Sequence, residues 1–318
     1  MREIRKTVTS SSNSTQTAVL LLAHGSPEDV ADIPAFLANI SGGRPLPPQV
    51  IEEVRHRYGL IGSSPLTRIT LQQGKALARQ LGIPVYVGMR NWKPFIADAV
   101  QQMAKDGVQR AAAICLAPHN SRTSVGLYRK AMFGEQSALP FAVEFVESWH
   151  DHPLLIKAFA EKLRPGLHAA TREMGAPLPI IFTAHSVPQR TITEGDPYQD
   201  QAHETARLVA IEAGLKDSDW AFAFQSQGMS GGAWLGPTVE ETILGLKEKG
   251  HRGVFIQPIG FLCDHVEVLY DVDIGFKALA AQLGMRLWRA ESLNDSALLI
   301  AALADLARTR LATPVQST

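Results

Sequence analysis

The chain has 318 residues, 31 basic and 31 acidic, so its formal net charge is zero; 45% of it is hydrophobic and 19% charged. That is a globular mix long enough for two domains of about 150 residues, and its even charge argues against a broad nucleic-acid or anionic-lipid footprint. Two cysteines, Cys115 and Cys263, exclude a cysteine-ligated iron–sulfur cluster within one chain, and the aliphatic run at 19–22 is too short for a signal core or a span, so a soluble cytoplasmic protein is expected.

Residues 1–17, with 9–14 almost wholly Ser, Thr and Asn, predict a disordered segment, and order is expected from Ala18. Short apolar runs at 19–23, 85–88, 111–117 and 141–146 read as strands. A second set follows at 180–183, 220–224, 254–258 and 285–288. Amphipathic stretches at 71–81, 95–105, 200–213 and 239–249 read as helices between them. Strands alternating with helices imply parallel sheet covered on both faces. Eight strands also suit a (β/α)8 barrel.

An internal echo bears on that choice. Leu21-Leu22-Ala23-His24-Gly25-Ser26-Pro27 resembles Phe182-Thr183-Ala184-His185-Ser186-Val187-Pro188, so Ala-His-x-x-Pro ends the first strand of each set. Pro118 and Pro258 likewise close the two third strands. The pattern favours an α/β fold of two similar Rossmann-like halves, 18–150 and 151–318, each a four-stranded parallel sheet flanked by helices. The C-terminal helix is expected to pack back on the first half. A ligand would sit in the crevice at the strands' carboxyl ends.

Histidine can hold a metal or move a proton near neutral pH. His24, His119, His185 and His265 fall just after strands, where open α/β sheets place their sites, whereas His56, His168, His203 and His251 read as surface. The segment Asp264-His265-Val266-Glu267-Val268-Leu269-Tyr270-Asp271 is the sharpest local pattern. On a helix starting here, Asp264, Glu267 and Asp271 share one face and could relay a divalent cation or protons. A capping box accounts for Asp264 and Glu267 but not for Asp271. The chain has no GxxxxGK[ST], no GxGxxG after a strand and no GxSxG, so nucleotide binding and a serine-hydrolase elbow lack support. Residues 226–232, rich in Ser and Gly, read as a loop that closes over a ligand.

These segments together resemble the ferrochelatases, which insert ferrous iron into a porphyrin. The likeness runs from about Ala18 to Ala312. It is carried by LLLAHGSPED at 20–29, RYGLIGSSPLTRIT at 57–70, GMRNWKPFIADAV at 88–100, LAPHNSRTSVGLY at 116–128, FTAHSVPQR at 182–190 and PIGFLCDHVEVLYDVD at 258–273. The resemblance implies a class II chelatase-like fold with the active-site cleft between the halves. It also implies a catalytic, metal-binding pair, His185 and Glu267, with Asp264 and Asp271 as proton or metal relay. Substrate contacts are expected from His24, Arg57, Tyr58, Ser64, Arg90 and Tyr128. Iron would be substrate, with no permanently bound cofactor and no iron–sulfur cluster.

Coproporphyrin III is the expected porphyrin. The alternatives are protoporphyrin IX, a cobalt or nickel chelatase of another tetrapyrrole, and a non-catalytic haem or metal carrier. The expected protein is a monomer with no nucleic-acid partner and no transmembrane segment, open to transient contact with a later haem-pathway enzyme. The chain departs from the family pattern at His24, where a tyrosine is usual, at Asn91, where a histidine can occur, and at Gly275, where a further carboxylate is common. His24, facing His185 across the crevice, is expected to ligate iron in the product complex.

Overall fold

The computed structural model describes residues 16–134, 139–227 and 232–312. All eight expected strands form. β1 (Thr17–Ala23), β2 (Val85–Met89), β3 (Arg110–Cys115) and β4 (Ala142–Val146) make one sheet in the order β2-β1-β3-β4. β5 (Ile180–His185), β6 (Trp220–Gln225), β7 (Gly253–Pro258) and β8 (Arg286–Arg289) make a second in the order β6-β5-β7-β8. Every pairing is parallel. Two open sheets of identical order replace the closed-barrel alternative, and the Ala-His echo falls on topologically equivalent strands. β1 opens at Thr17, inside the segment expected to be disordered; Gln16 is also described, and 1–15 lie outside the described residues.

The helices pack on both faces. α1 (Ile33–Ile40), α2 (Pro48–Ile61) and α3 (Leu66–Leu81) separate β1 from β2. α4 (Ile96–Lys105) and α5 (Val125–Phe133) follow β2 and β3, and α6 (Pro153–Met174) leads from the first sheet to the second. α7 (Gln189–Thr193) and α8 (Tyr198–Ala213) join β5 to β6, and α9 (Val239–Glu248) joins β6 to β7. The short α10 (Val266–Leu269), a π-helical turn (Asp271–Phe276) and α11 (Lys277–Gln282) join β7 to β8 before α12 (Ala297–Ala312). α3 begins five residues before the expected 71, at Leu66 after Pro65, because its first turn buries Ile69 and Thr70 despite the polar Thr67 and Arg68. Gly82, in the left-handed region at φ 70°, ends it.

Alternate side chains of β1 enter different cores. Val19 and Leu21 join a large cluster with Leu77 of α3, Phe159 of α6, Phe182 of β5, Phe255 of β7 and Leu299 and Leu303 of α12. Leu20 and Leu22 face the other side, against Ile96 and Met103 of α4. Each such buried side chain contributes about 1.5–3 kcal/mol, and the strands are apolar on both faces as parallel strands must be. The shared cluster welds the two sheets together, with α6 and α12 between them. Arg110 at the start of β3 donates to the carbonyls of Arg310 and Leu311 at 2.9 and 3.0 Å, tying the negative end of α12 to the first sheet.

Candidate active site

The carboxyl ends of both sheets open on a cleft of about 570 Å³, lined from the first half by His24, Tyr58, Ser64, Arg90 and Tyr128 and from the second by His185, His265 and Glu267. Two glycines let the chain approach it closely. Gly25 has φ 79°, and a Cβ there would lie 2.8 Å from the Met89 Cβ. Gly260 packs so tightly under β5 that a Cβ would sit 2.8 Å from both the Cα and Cβ of Ala184, the residue before His185.

The two related histidines are held alike. His24 Nδ1 lies 2.9 Å from the carbonyl of Gly25, and His185 Nδ1 bonds the carbonyl of Ser186. A carbonyl has no proton to give, so in both rings Nδ1 carries the hydrogen and the neutral form leaves Nε2 bare. From there the two diverge. His24 Nε2 meets the side-chain amide of Asn91 at 2.9 Å, which must therefore be the donor. His185 Nε2 faces Glu267 Oε2 at 3.5 Å.

His24 is accessible from the cleft, though densely surrounded by protein. Burial first, then the nearby Arg90, lowers its pKa to about 4, so it is neutral at pH 7. Burial also lowers the pKa of His265. For Glu267 burial acts upward, but the imidazoles of His185, His265 and His24 overcome it and hold the carboxyl below its ordinary value. Its Oε2 has no hydrogen-bond partner and is shielded from solvent. Gln225, ending β6, donates to the Glu267 carbonyl at 3.0 Å while accepting from Thr183 at 2.7 Å, so the second sheet positions that residue's backbone.

The acidic line differs from its expected form. Asp264, Glu267 and Asp271 do not share one helix face, because α10 starts only at Val266, with His265 as its N-cap and no side-chain cap bond. Asp264 turns the other way. It accepts from Ser292 at 2.7 Å, Asn294 at 3.0 Å and Arg289 at 3.3 Å, which occupy both its oxygens. A residue so committed braces the loop after β8, and the relay expected of it is not supported. Asp271, at the start of the π-helical turn, stays near the site. Ser226 donates to it at 2.5 Å, and burial lifts its pKa to about 6.

Arg57 does not line the cleft. It lies 3.7 Å from Asp271, stacks 4.9 Å over the Tyr270 ring and pairs with Glu53 at 2.9 Å, so it bridges α2 to the second half. Tyr58, Ser64, Arg90 and Tyr128 do reach the cleft. Tyr58 shares a 2.8 Å hydrogen bond with Ser26, and burial raises its pKa to about 12. Arg90 lies 5.8 Å over the Tyr128 ring. The Nε of Arg90 and the Oγ of Ser64 are buried without hydrogen-bond partners.

Other cleft residues carried no assigned role in the sequence reading. Gln73 of α3 donates to the Asn294 carbonyl at 2.6 Å and presents an unpartnered Oε1. Tyr198 donates to the His185 carbonyl at 2.8 Å. His119, one of the strand-end histidines, is buried with its Nε2 2.9 Å from Thr205 and its pKa lowered by burial to about 3. A polar residue ending an otherwise apolar strand, as Gln225 does, is a signal that could have been used. Gln73 offered none, and Asn91 stood out only as a departure from the family pattern. Among the described residues, no three His, Cys, Asp or Glu side chains converge as a cation cage. Of the loop expected at 226–232, residues 228–231 lie outside the described residues. No helix among the described residues is long and apolar enough to cross a membrane.

A sequence model of the ferrochelatase family matches residues 16–311. A protein of Acidobacterium capsulatum named ferrochelatase is 54% identical over 310 residues, spanning 93% of this chain and 95% of that one. A coproporphyrin III ferrochelatase of Geobacillus sp. (strain WCH70) is 37% identical over 303 residues, spanning 92% and 97%. Among solved structures, SirB from Bacillus subtilis with Fe3+ superposes with a TM-score of 0.58 at 12% identity, over 93% of this chain and 96% of that one, a likeness of fold alone.

Proposed function

The chain belongs to the ferrochelatase family, enzymes that insert a metal ion into a tetrapyrrole, and we propose that its own reaction is insertion of ferrous iron into coproporphyrin III. Iron enters as substrate, not as a resident cofactor. The observation that carries the reading is the gap between His185 Nε2 and Glu267 Oε2. Two bare acceptors face each other at 3.5 Å, and Glu267 Oε2 has nothing else to bond. Such a pair is stable only with a cation between or beside it, either a proton or a metal.

Metallation supplies both. A porphyrin with two pyrrole N–H groups takes up Fe2+ and releases two protons. His185 Nε2 receives a pyrrole proton, since its Nδ1 is already committed to the Ser186 carbonyl. Glu267 draws in the cation and, with Asp271, carries protons outward. Asp271, near pKa 6, passes between its two states close to neutral pH, as a relay requires. A carrier would need a ligand but no such proton path.

The choice of coproporphyrin III over protoporphyrin IX is supported by two things. The Geobacillus relative carries that substrate in its name. The buried donors Arg90 Nε and Ser64 Oγ lack acceptors, and a tetracarboxylate brings more of these than a dicarboxylate. The same proposal takes 18–150 and 151–318 as the two working halves, with a monomer in the cytoplasm. Hand-over of product to a later haem-pathway enzyme is part of it.

The test is anaerobic incubation with ferrous iron and, separately, coproporphyrin III and protoporphyrin IX, followed by visible spectroscopy. Faster metallation of coproporphyrin III is expected. A preference for protoporphyrin IX overturns the substrate assignment, and metallation of neither overturns the reaction.

A further inference from the structure

The expectation that His24 ligates product iron meets a ring whose two nitrogens are both occupied. Nδ1 gives its proton to Gly25, and Nε2 receives one from Asn91. Asn91 does not line the cleft and is only 3% exposed, so the amide that holds Nε2 lies beneath the cleft wall, and the bond must break before Nε2 can reach a metal in the cleft. The Asn91 backbone is fixed as well. Its N–H bonds the His24 carbonyl at 2.9 Å, and its own carbonyl accepts from Asn39 at 3.0 Å. Phe36 stands edge-on to the His24 ring at 6.0 Å and limits its rotation. The equivalent nitrogen of His185 has no such amide; it faces Glu267.

We propose that Asn91 is a positioning residue that caps His24 Nε2 and so keeps this imidazole from coordinating the metalloporphyrin product. The inference rests on the tetrapyrrole reading above. Its chemical content is a competition. Imidazole Nε2 is a good ligand for iron porphyrins, and a strongly ligated product would leave slowly. The amide hydrogen bond must break before coordination, and both partners lose it together. His24 then serves as a wall of the cleft, while His185, uncapped, remains free to take a proton. The repeat thus carries two histidines of one tautomer, made unequal by a side chain from the neighbouring strand end.

Two measurements test this. Nitrogen-15 NMR of histidine-labelled protein, without porphyrin, reads the tautomer directly. His24 should be the Nδ1–H form, with an Nε2 shift that moves in Asn91→Ala; an Nε2–H tautomer overturns the cap whatever the protein's substrate. Ferric coproporphyrin III is then added to the wild type, Asn91→Ala, His24→Ala and the double variant. Asn91→Ala should move the iron toward low spin with a shifted Soret band and slow product release by roughly fivefold, the worth of one ordinary hydrogen bond. His24→Ala should leave the wild-type iron spectrum unchanged, and adding it to Asn91→Ala should restore that spectrum. Identical spectra for wild type and Asn91→Ala overturn the proposal, as does a wild-type spectrum that already depends on His24. Asn91→Asp is the second variant. Its carboxylate can pair with Nε2 only as that nitrogen takes up a proton, giving an imidazolium whose Nδ1 still bonds Gly25, so the iron should stay high-spin, and low-spin iron in that variant also counts against the cap. Failure of every form to bind the porphyrin overturns the tetrapyrrole reading and leaves the NMR result to judge the cap.

Discussion

His24, directly after β1, and His185, the last residue of the equivalent β5, each donate the Nδ1 hydrogen to the carbonyl of the next residue, Gly25 in one case and Ser186 in the other. Their free nitrogens meet opposite partners, a neutral amide at 2.9 Å and a carboxylate at 3.5 Å. A duplicated backbone geometry has therefore been given two chemistries by residues outside the duplicated motif.

Replacing His185 by Ala removes the proposed proton acceptor but none of the buried polar groups, Ser64 and Arg90, proposed to hold carboxylates. Metallation should fall by about 10²–10⁴-fold, the usual worth of a positioned general base. Porphyrin affinity, read by fluorescence quenching, should stay within a few-fold of wild type. Near-normal metallation would dismiss the base role.

Glu267→Gln keeps the shape and the backbone bond from Gln225 but removes the charge. The gap to His185 then holds an amide and an imidazole, which can hydrogen-bond to each other without a cation. The variant should melt slightly below the wild-type temperature at neutral pH, because surroundings that hold the carboxyl below its ordinary value favour the charge that Gln lacks. Its iron insertion should be slower by at least an order of magnitude. A large fall in melting temperature would mean that Glu267 serves the fold.

Asp271 has a pKa raised from 3.8 to about 6 in the folded protein, chiefly by burial. Its charged form, needed to attract iron and accept protons, fills as pH rises through about 6, so the insertion rate should rise over that range. Asp271→Asn should flatten the rise. The stability effect has the opposite sign. The folded state binds this proton more tightly than the unfolded one, so the group's contribution is complete below pH 3.8 and is lost as pH climbs through 6. Denaturant titrations of wild type and Asp271→Asn at pH 5 and pH 7 would reveal the difference, and parallel curves would refute the assignment.

Arg57 lowers the Asp271 pKa by its charge and stacks on Tyr270 beside it. Arg57→Ala should push the pH midpoint of insertion upward and raise the apparent KM for iron while sparing that for porphyrin. Because the pair is partly open to solvent, the coupling energy from a double-mutant cycle with Asp271→Asn should be modest, about 1 kcal/mol. A changed porphyrin KM would return Arg57 to the substrate contacts expected from sequence.

Gly260→Ala places a methyl group 2.8 Å from Ala184, in backbone that cannot yield without moving His185. A loss of about 1–3 kcal/mol in stability is expected, with insertion falling more than porphyrin binding. Unchanged stability and rate would show that β5 and the Gly260 loop separate freely.

What the sequence determined by itself is periodic and local. Apolar runs such as Val19–Leu22 mark strands because a parallel strand buries both faces, and the Ala-His-x-x-Pro echo marks two equivalent strand ends. The motifs marked His185 and Glu267, and both line the one cleft. Tertiary structure decided which polar groups meet. Asp264 has the spacing of a relay carboxylate, yet Arg289, Ser292 and Asn294 from beyond β8 claim it. Arg57 stands in a motif expected to contact substrate, yet it reaches across to Asp271. Asn91 lies in a different loop from His24 and meets it only because Ala23 pairs with Met89 in the first sheet. Periodicity reports which face of an element is buried; it carries no information about the partner that a buried donor or acceptor finds on another element, and at this site those partners set the chemistry.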